Sequence, residues 1–382
     1  MSLPGGADPA GGAVRAVAAH GLAGSHLALP EGPLADDVWP EFFRAARRQR
    51  LIGLLAATVA DGALEVTDAQ HEQVATAHAV AMKRVLDIEV LALDVVERLE
   101  QAGVGVRVLK GLATAHVDMA DPARRDFGDV DLLVEPGRFA LAVATLTAAG
   151  MPRDLPERRP GFDERFAKEA TLYGPREVEI DLHRLLALGA FGLRLDPRSV
   201  WDDGQPFVVG GRRLCALQPP ARLLHAAYSS LLGDRSPRLV SLRDTAQLAQ
   251  RDDIDGDAVV ALARVAGGQA VLARALRLAG DTFGTGPDWA LWRWAGAHRG
   301  GWWDRTCLRA YESQGGSNTT TLLSGALGLT TWRDRAAYAG AMAFPGRAYV
   351  AARRTAGRPS EWRRALAELA RSAVRTGRRA PR

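Results

Sequence analysis

Apolar residues recur at spacings of three and four along "DDVWPEFFRAARRQRLIGLLAATVA", from Asp36, and along "DAQHEQVATAHAVAMKRVLDIEVLALDVVERLEQAG", from Asp68. That period predicts two helices, the second ending at Gly103. The short β-rich run "VGVRVL" follows, then "KGLATAHVDM", which reads as the opening of a helix. "DVDLLV", Asp129 to Val134, is apolar after its acidic start and is bounded by Gly128 and Pro136, so it predicts a buried strand. "PGRFALAVATLTAAG" returns to helical spacing and stops on Gly150, and a Pro- and Arg-rich loop runs from Met151 to Gly161. "EVEIDLHRLL" alternates: Glu179, Asp181 and His183 share one face of a strand, and Ile180 and Leu182 the other. From Pro219 the chain reads as successive short helices, "PPARLLHAAYSSLL", "PRLVSLRDTAQLAQ" and "DAVVALARVAG", and stays mostly helical to the end with a break near "SQGGSN".

The predicted class is therefore α+β, a small mixed β-sheet core with N-terminal helices and a helical C-terminal portion. The expected divisions are a flexible lead-in over residues 1–30, a helical region over 31–103, the sheet core over 104–217, a helical region over 218–352 and a basic amphipathic tail over 353–382. At 382 residues, with 47% hydrophobic and 24% charged, the composition is that of a globular protein with a sizeable core. No fixed-period repeat interrupts this pattern.

Charge changes the picture at one end. The formal +5 is concentrated in the tail: from Arg353 to Arg382 ten arginines face Glu361 and Glu368, a local +8, so the remaining residues sum to −3. Such a tail suits nucleic acid or anionic lipid, and "SEWRRALAELARSAVR" equally suits an amphipathic helix with a solvated arginine face. Cys215 and Cys307 are far apart and lack a CxxC partner, so neither a disulfide framework nor a zinc site is indicated, and a reducing cytoplasm is the expected setting. The longest apolar stretch is short and carries Asp61, and the N-terminus has no basic and apolar leader, so neither a membrane span nor a signal peptide is expected.

The candidate chemistry lies in the carboxylates. Asp129 and Asp131 are two apart on a predicted strand, hence on one face with Cα atoms roughly 6.5 to 7 Å apart. Two such charges leaning to about 4 Å repel by roughly 4 kcal/mol at an effective dielectric near 20. A divalent ion resolves that conflict, and Mg²⁺ (or Mn²⁺) takes hard oxygen ligands and completes its shell with waters and phosphate oxygens. A third acid on a neighbouring strand would orient or deprotonate an attacking hydroxyl; Asp181 is the first choice and Glu179 the reserve. His183 would contact phosphate or hold its strand in place. Only Lys83, Lys110 and Lys168 are lysine in this arginine-rich chain, which singles out Lys110 as a position where a compact ammonium is wanted.

Together, "LKG" at Leu109 to Gly111, "RDFGDVDLLV" at Arg125 to Val134 and "IDLH" at Ile180 to His183 resemble the uncharacterised nucleotidyltransferase branch of the DNA polymerase β-like nucleotidyltransferase superfamily. The likeness runs from about Val74 to Gln250, including the helices "LLHAAYSSLL" and "LVSLRDTAQLAQ". It implies a nucleotidyltransferase fold, Mg²⁺, a nucleoside triphosphate and transfer of a nucleotidyl group to an acceptor hydroxyl or phosphate. It assigns metal binding to Asp129 and Asp131, the third acid to Asp181, and the phosphate-facing turn to Lys110 and Gly111. Arg125 matches the branch's arginine in spacing and would balance charge on the phosphates, with Arg124 as the neighbouring candidate. The Gly-Gly or Gly-Ser turn usual in the superfamily is Lys-Gly here, and some members of the branch resemble tailoring proteins of peptide natural products.

The leading functional expectation is an Mg²⁺-dependent nucleotidyltransferase acting on a small molecule or peptide. The alternatives are a catalytically silent nucleotide- or peptide-binding module on the same fold, transfer of another activated group such as a sugar phosphate, and action on nucleic acid through the tail. "LWRWAGAHRGGWWD", from Leu291, holds four of the nine tryptophans and reads either as an acceptor pocket or as the seal of a helical core. His116 and His225 fall on helical stretches and read as packing or capping residues.

Overall fold

The computed structural model describes residues 9–357 except 202, 234–236, 287–288 and 313–323. The expected amphipathic tail helix, with Trp362, lies outside the described residues.

A mixed six-stranded sheet forms the centre. Its strands are β1 (Val106–Val108), β2 (Asp129–Val134), β3 (Glu169–Tyr173), β4 (Glu179–His183), β5 (Gln205–Val209) and β6 (Arg212–Ala216), in the spatial order β3-β4-β2-β1-β6-β5. β2 runs parallel to β4 and β1 parallel to β6, while the remaining neighbours are antiparallel. This is the α+β class the apolar pattern predicts.

Alternation along the strands sorts their residues onto two faces. Val130, Leu132, Val134, Ile180, Leu182, Ala170 and Leu172 lie buried against a long helix, α4 (Asp68–Gln101), and against α5 (Phe139–Ala148). Burial of these branched side chains is the main driving force for holding the strands flat on α4, at about 1.5–3 kcal/mol for each large one. α4 starts on Thr67, whose side chain accepts from the Gln70 backbone N–H while the Gln70 side chain accepts from the Thr67 backbone, a reciprocal cap that fixes where the helix begins. Its C-terminal end leads into Gly103 at φ +72°, as the sequence expects.

The opposite face carries the polar residues of β2 and β4 and packs, around Leu109 and Leu133, on a second core. That core is built from α7 (Gly189–Arg194), α8 (Pro219–Tyr228), α9 (Leu239–Ala249), α10 (Gly256–Val265) and α11 (Gln269–Phe283). It spans the expected boundary at residue 217, because Leu133 on the sheet and Leu224 and Leu276 on the helices share it.

Three local differences from the pattern have clear causes. The segment expected as a flexible lead-in contains helix α1 (Pro9–Ala19), whose Val14, Val17 and Ala18 are buried in a third core with Phe42, Leu54, Leu242 and Phe283. Alanine and glycine there supply too little periodic contrast to announce a buried helix. The single helix expected from Asp36 is two, α2 (Trp39–Arg48) and α3 (Ile52–Ala60), separated at Arg50, which sits in the left-handed region at φ +55°. Strand β3 is the third. "EATLY" lies just past the Pro- and Arg-rich loop and the short helix α6 (Phe162–Phe166), and its small Ala170 and Thr171 give too little apolar contrast to announce a strand without its partner β4.

The tryptophans of the Leu291 stretch divide. Trp292 is buried, Trp289 lies against it with centroids 5.4 Å apart, and Trp294 and Trp303 pack on the same core, whereas Trp302 is exposed. Most of this stretch thus closes a helical core. Among the described residues no helix is long and apolar enough to cross a membrane, and Cys215 and Cys307 do not form a disulfide with each other.

Candidate active site

The register between β2 and β4 builds the site. Asp129 lies opposite Glu179, Asp131 opposite Asp181 and Leu133 opposite His183. Cross-strand partners share a face, so Asp129, Asp131, Glu179, Asp181 and His183 all project from the same side of the sheet. β3 adds Glu169 opposite His183 and Thr171 opposite Asp181.

Within this row the side chains draw together unequally. Ligand atoms of Asp131, Asp181 and His183 all lie within 4.8 Å of one another, and this trio is the cluster of metal-binding groups found among the described residues. Asp129 stands at the rim, partly exposed, with Arg50 Nη1 3.8 Å from its Oδ1. Glu179 is exposed at the strand's start. Asp131 and His183 are buried, and His183 Nε2 lies 2.9 Å from Asp131 Oδ1. The same oxygen receives the ammonium of Lys110 at 3.2 Å. On its other side the His183 Nδ1 faces Glu169 Oε2 at 3.5 Å, and Lys168 pairs with that carboxylate at 2.5 Å.

Asp131 therefore serves two partners through Oδ1, while its Oδ2 is buried and has no hydrogen-bond partner. A buried carboxylate oxygen left unmatched is uncommon and costly, and a cation is the natural complement. Two aspartates and a partly exposed rim acid supply hard oxygen donors, so the residues present fit a divalent ion. His183 fits either as a ligand or as the group that orients Asp131 from behind.

The protonation pattern follows from burial set against neighbours. Burial pushes the Asp131 carboxyl up, but Lys110, the His183 hydrogen bond and Lys168 outweigh it and hold the group well below the usual carboxylate range. Lys110 is the mirror case: burial works against its charge, and Asp131, Asp129 and Glu169 overcome that and raise it. Asp181 has no such cation. Burial and the charge of Glu169 push it up to about 6, against the pull of His183 and of Thr171, whose hydroxyl donates to Asp181 Oδ1 at 2.6 Å. Two neighbouring aspartates thus differ in proton affinity, the arrangement that separates a ligand from a base.

This asymmetry gives a stability prediction. An acid whose folded pKa is about 6 against 3.8 ordinarily favours the folded state only while protonated, so its penalty is absent below about pH 4, grows between 4 and 6 and is complete above. Asp181→Asn keeps an acceptor for Thr171 and removes the charge. Urea unfolding is expected to show the variant more stable than the parent by about 2 to 3 kcal/mol at pH 8, with the gain vanishing at pH 4. A gain independent of pH assigns it to packing instead.

The Lys110–Gly111 turn that delivers the ammonium depends on glycine. Gly111 adopts φ +55°, and a Cβ there would meet Phe127 Cβ at 3.1 Å. A π-helical turn, Thr114–Asp118, follows instead of an ordinary helix start. Within it His116 is bonded to Glu89 of α4 at 2.7 Å, a structural contact.

Arg125, expected to face phosphate, lines the pocket beside Lys110 and has a carboxylate partner of its own. It is buried, and its guanidinium clasps the carboxylate of Asp244 on α9 through bonds of 2.9, 3.1 and 3.3 Å. The spacing in the sequence locates the arginine but not its partner, which comes from 119 residues downstream. Arg124 reaches Asp61 at 3.3 Å.

Four contributors escape a sequence reading. Glu169, Thr171 and Lys168 come with the unpredicted β3, and Arg50 comes from the left-handed break between α2 and α3. Such a conformation is strained for a non-glycine residue and marks a position held by its surroundings. Beside Lys110 a narrow pocket is lined by Thr114, Arg222, His225, Ser229 and Asp244. Burial lowers His225 to about 3, with His183 and Lys110 adding to the effect, so it stands as a neutral imidazole 3.3 Å from Ser229 Oγ.

Comparison with known proteins places the chain in a family. Residues 35–284, about two thirds of the chain, match the family described as uncharacterised nucleotidyltransferase. No curated protein matches. Among solved structures, an antigenic nucleotidyltransferase-like protein from Paracoccidioides brasiliensis is similar at 17% identity over 52% of this chain and 94% of that one, with a TM-score of 0.28. On the extent of the family match, which takes in α2 through α11 and every strand of the sheet, the chain belongs to the uncharacterised nucleotidyltransferase family.

Proposed function

We propose that the protein is a Mg²⁺-dependent nucleotidyltransferase, a member of the DNA polymerase β-like superfamily, that moves a nucleotidyl group from a nucleoside triphosphate to a hydroxyl or phosphate of a small molecule or peptide. The observation that carries this reading is the pairing in register of Asp131, with its unmatched buried oxygen, and Asp181, with its raised proton affinity, on adjacent parallel strands.

Asp131 and Asp129 are the residues that would hold the ion, with Asp181 completing the set. When bound, the ion neutralises phosphate charge and polarises the phosphorus under attack. Asp181 accepts the proton of the acceptor hydroxyl as its oxygen bonds to the α-phosphorus, and Thr171 fixes the orientation of the receiving carboxylate. The bond from the α-phosphorus to the bridging oxygen breaks and pyrophosphate leaves. Lys110 on its glycine turn and Arg50 at the rim stand where they can offset the triphosphate charge, as positioned cations do in phosphoryl transfer. His183 holds Asp131 at 2.9 Å. That leaves the oxygen donors to a hard cation.

Asp129 and Arg50 are partly exposed at the rim, where a solvent-borne acceptor would approach, and two cysteines that form no disulfide with each other suit the cytoplasm. The test is direct. Protein, Mg²⁺ and each of the four labelled ribonucleoside triphosphates, incubated with a panel of hydroxyl- and phosphate-bearing acceptors, should release pyrophosphate and label one acceptor, and chelation should stop both. Triphosphate binding with no pyrophosphate across the panel favours the silent binding module.

A further inference from the structure

The ammonium of Lys110 is paired with the carboxylate that a metal ion would claim. Its Nζ lies 3.2 Å from Asp131 Oδ1, the oxygen that also meets His183. Of the other cations nearby, Arg50 stands 3.8 Å from Asp129 at the rim, while three pair away from the candidate ligands: Arg125 with Asp244, Arg222 with Asp118 at 2.9 Å, and Lys168 with Glu169. Only for Lys110, among these five, is the carboxylate partner one of the clustered Asp131, Asp181 and His183 trio. Its side chain is about one third exposed, it springs from a glycine turn, and the pocket beyond it is lined by Thr114 and Ser229 together with Arg125 and Arg222. A lysine stem is long and flexible enough to swing between two anionic partners.

A divalent ion and an ammonium bound to the same carboxylate repel each other strongly at such separations. We propose that Lys110 is a displaceable stand-in for the cation: it neutralises Asp131 in the resting protein and releases it when a triphosphate draws the ammonium away, so that the donor opens the metal site. The proposal rests on the metal-dependent reading above and adds an order to it. Two bound partners then favour each other, because a donor that removes Lys110 raises cation affinity by the same factor by which the cation raises donor affinity.

The test uses the full chain without nucleotide and measures free Mn²⁺ by electron paramagnetic resonance during titration. Lys110→Met is expected to bind Mn²⁺ about tenfold more tightly than the parent, a coupling of ordinary size. Lys168→Met, which removes an equal charge from the same site without touching Asp131, is expected to change affinity by no more than about threefold. Lys110→Gln repeats the comparison with a polar stem if the methionine variant misfolds. Equal or weaker Mn²⁺ binding in both Lys110 variants, or a gain matched by Lys168→Met, overturns the stand-in while leaving the metal reading intact. Absence of Mn²⁺ binding in parent and variants alike removes the metal reading and this inference with it.

Discussion

Asp131→Asn is expected to lower nucleotidyl transfer by about 10³-fold or more, measured as acceptor labelling at saturating Mg²⁺, while circular dichroism and the urea midpoint show a folded protein. The size follows from what the group would do: ligation of the ion at the reacting phosphate supplies several kcal/mol, and each 1.36 kcal/mol is tenfold in rate. Asparagine is nearly isosteric and its amide oxygen can still meet His183 Nε2, so the buried contact at 2.9 Å survives. The ammonium of Lys110 loses its ion pair, and the side chain that carries it is about one third exposed. Asp129→Asn provides the graded comparison. Asp129 lies at the rim and outside the 4.8 Å trio, so its loss should cost less than that of Asp131. Equal losses at both positions would mean that Asp129 ligates the ion as fully as Asp131 does, and unaltered turnover in Asp131→Asn would end the catalytic assignment.

The second large effect concerns stability. Arg125→Met is expected to destabilise the protein by about 3 to 5 kcal/mol, because it strands the buried carboxylate of Asp244 without its three hydrogen bonds. Asp244→Leu alone strands the guanidinium and should cost a similar amount. The double variant should recover most of either loss, since a buried ion pair replaced on both sides by apolar groups is often near neutral. Urea midpoints of the four proteins close this cycle. The same variants decide what Arg125 is for. A guanidinium that anchors the loop before β2 to α9 moves the midpoint; one that contacts phosphate lowers transfer at an unchanged midpoint.

Much of the fold was legible because its driving forces are local and periodic. The apolar runs of β2 and β4 and the glycine stop after α4 each announce themselves within a few residues. The shared face of Glu179, Asp181 and His183 follows from a period of two. Strand β3 and helix α1 were hidden for a complementary reason: one is short with little apolar contrast, the other is rich in alanine and glycine, and each gains its burial from partners distant in the chain.

By itself, then, the amino-acid order singled out Asp129, Asp131, Asp181, His183 and Lys110 and determined that Asp129 and Asp131 must point the same way, since the alternation of a strand permits nothing else. Tertiary structure decided which of them meet. The parallel register of β2 with β4 set Asp131 against Asp181, β3 brought Thr171 and Glu169 beside them, and α9 claimed Arg125. Pairings of this kind depend on contacts between segments tens to more than a hundred residues apart, and the energy of such contacts resides in the packed whole rather than in any local run of side chains.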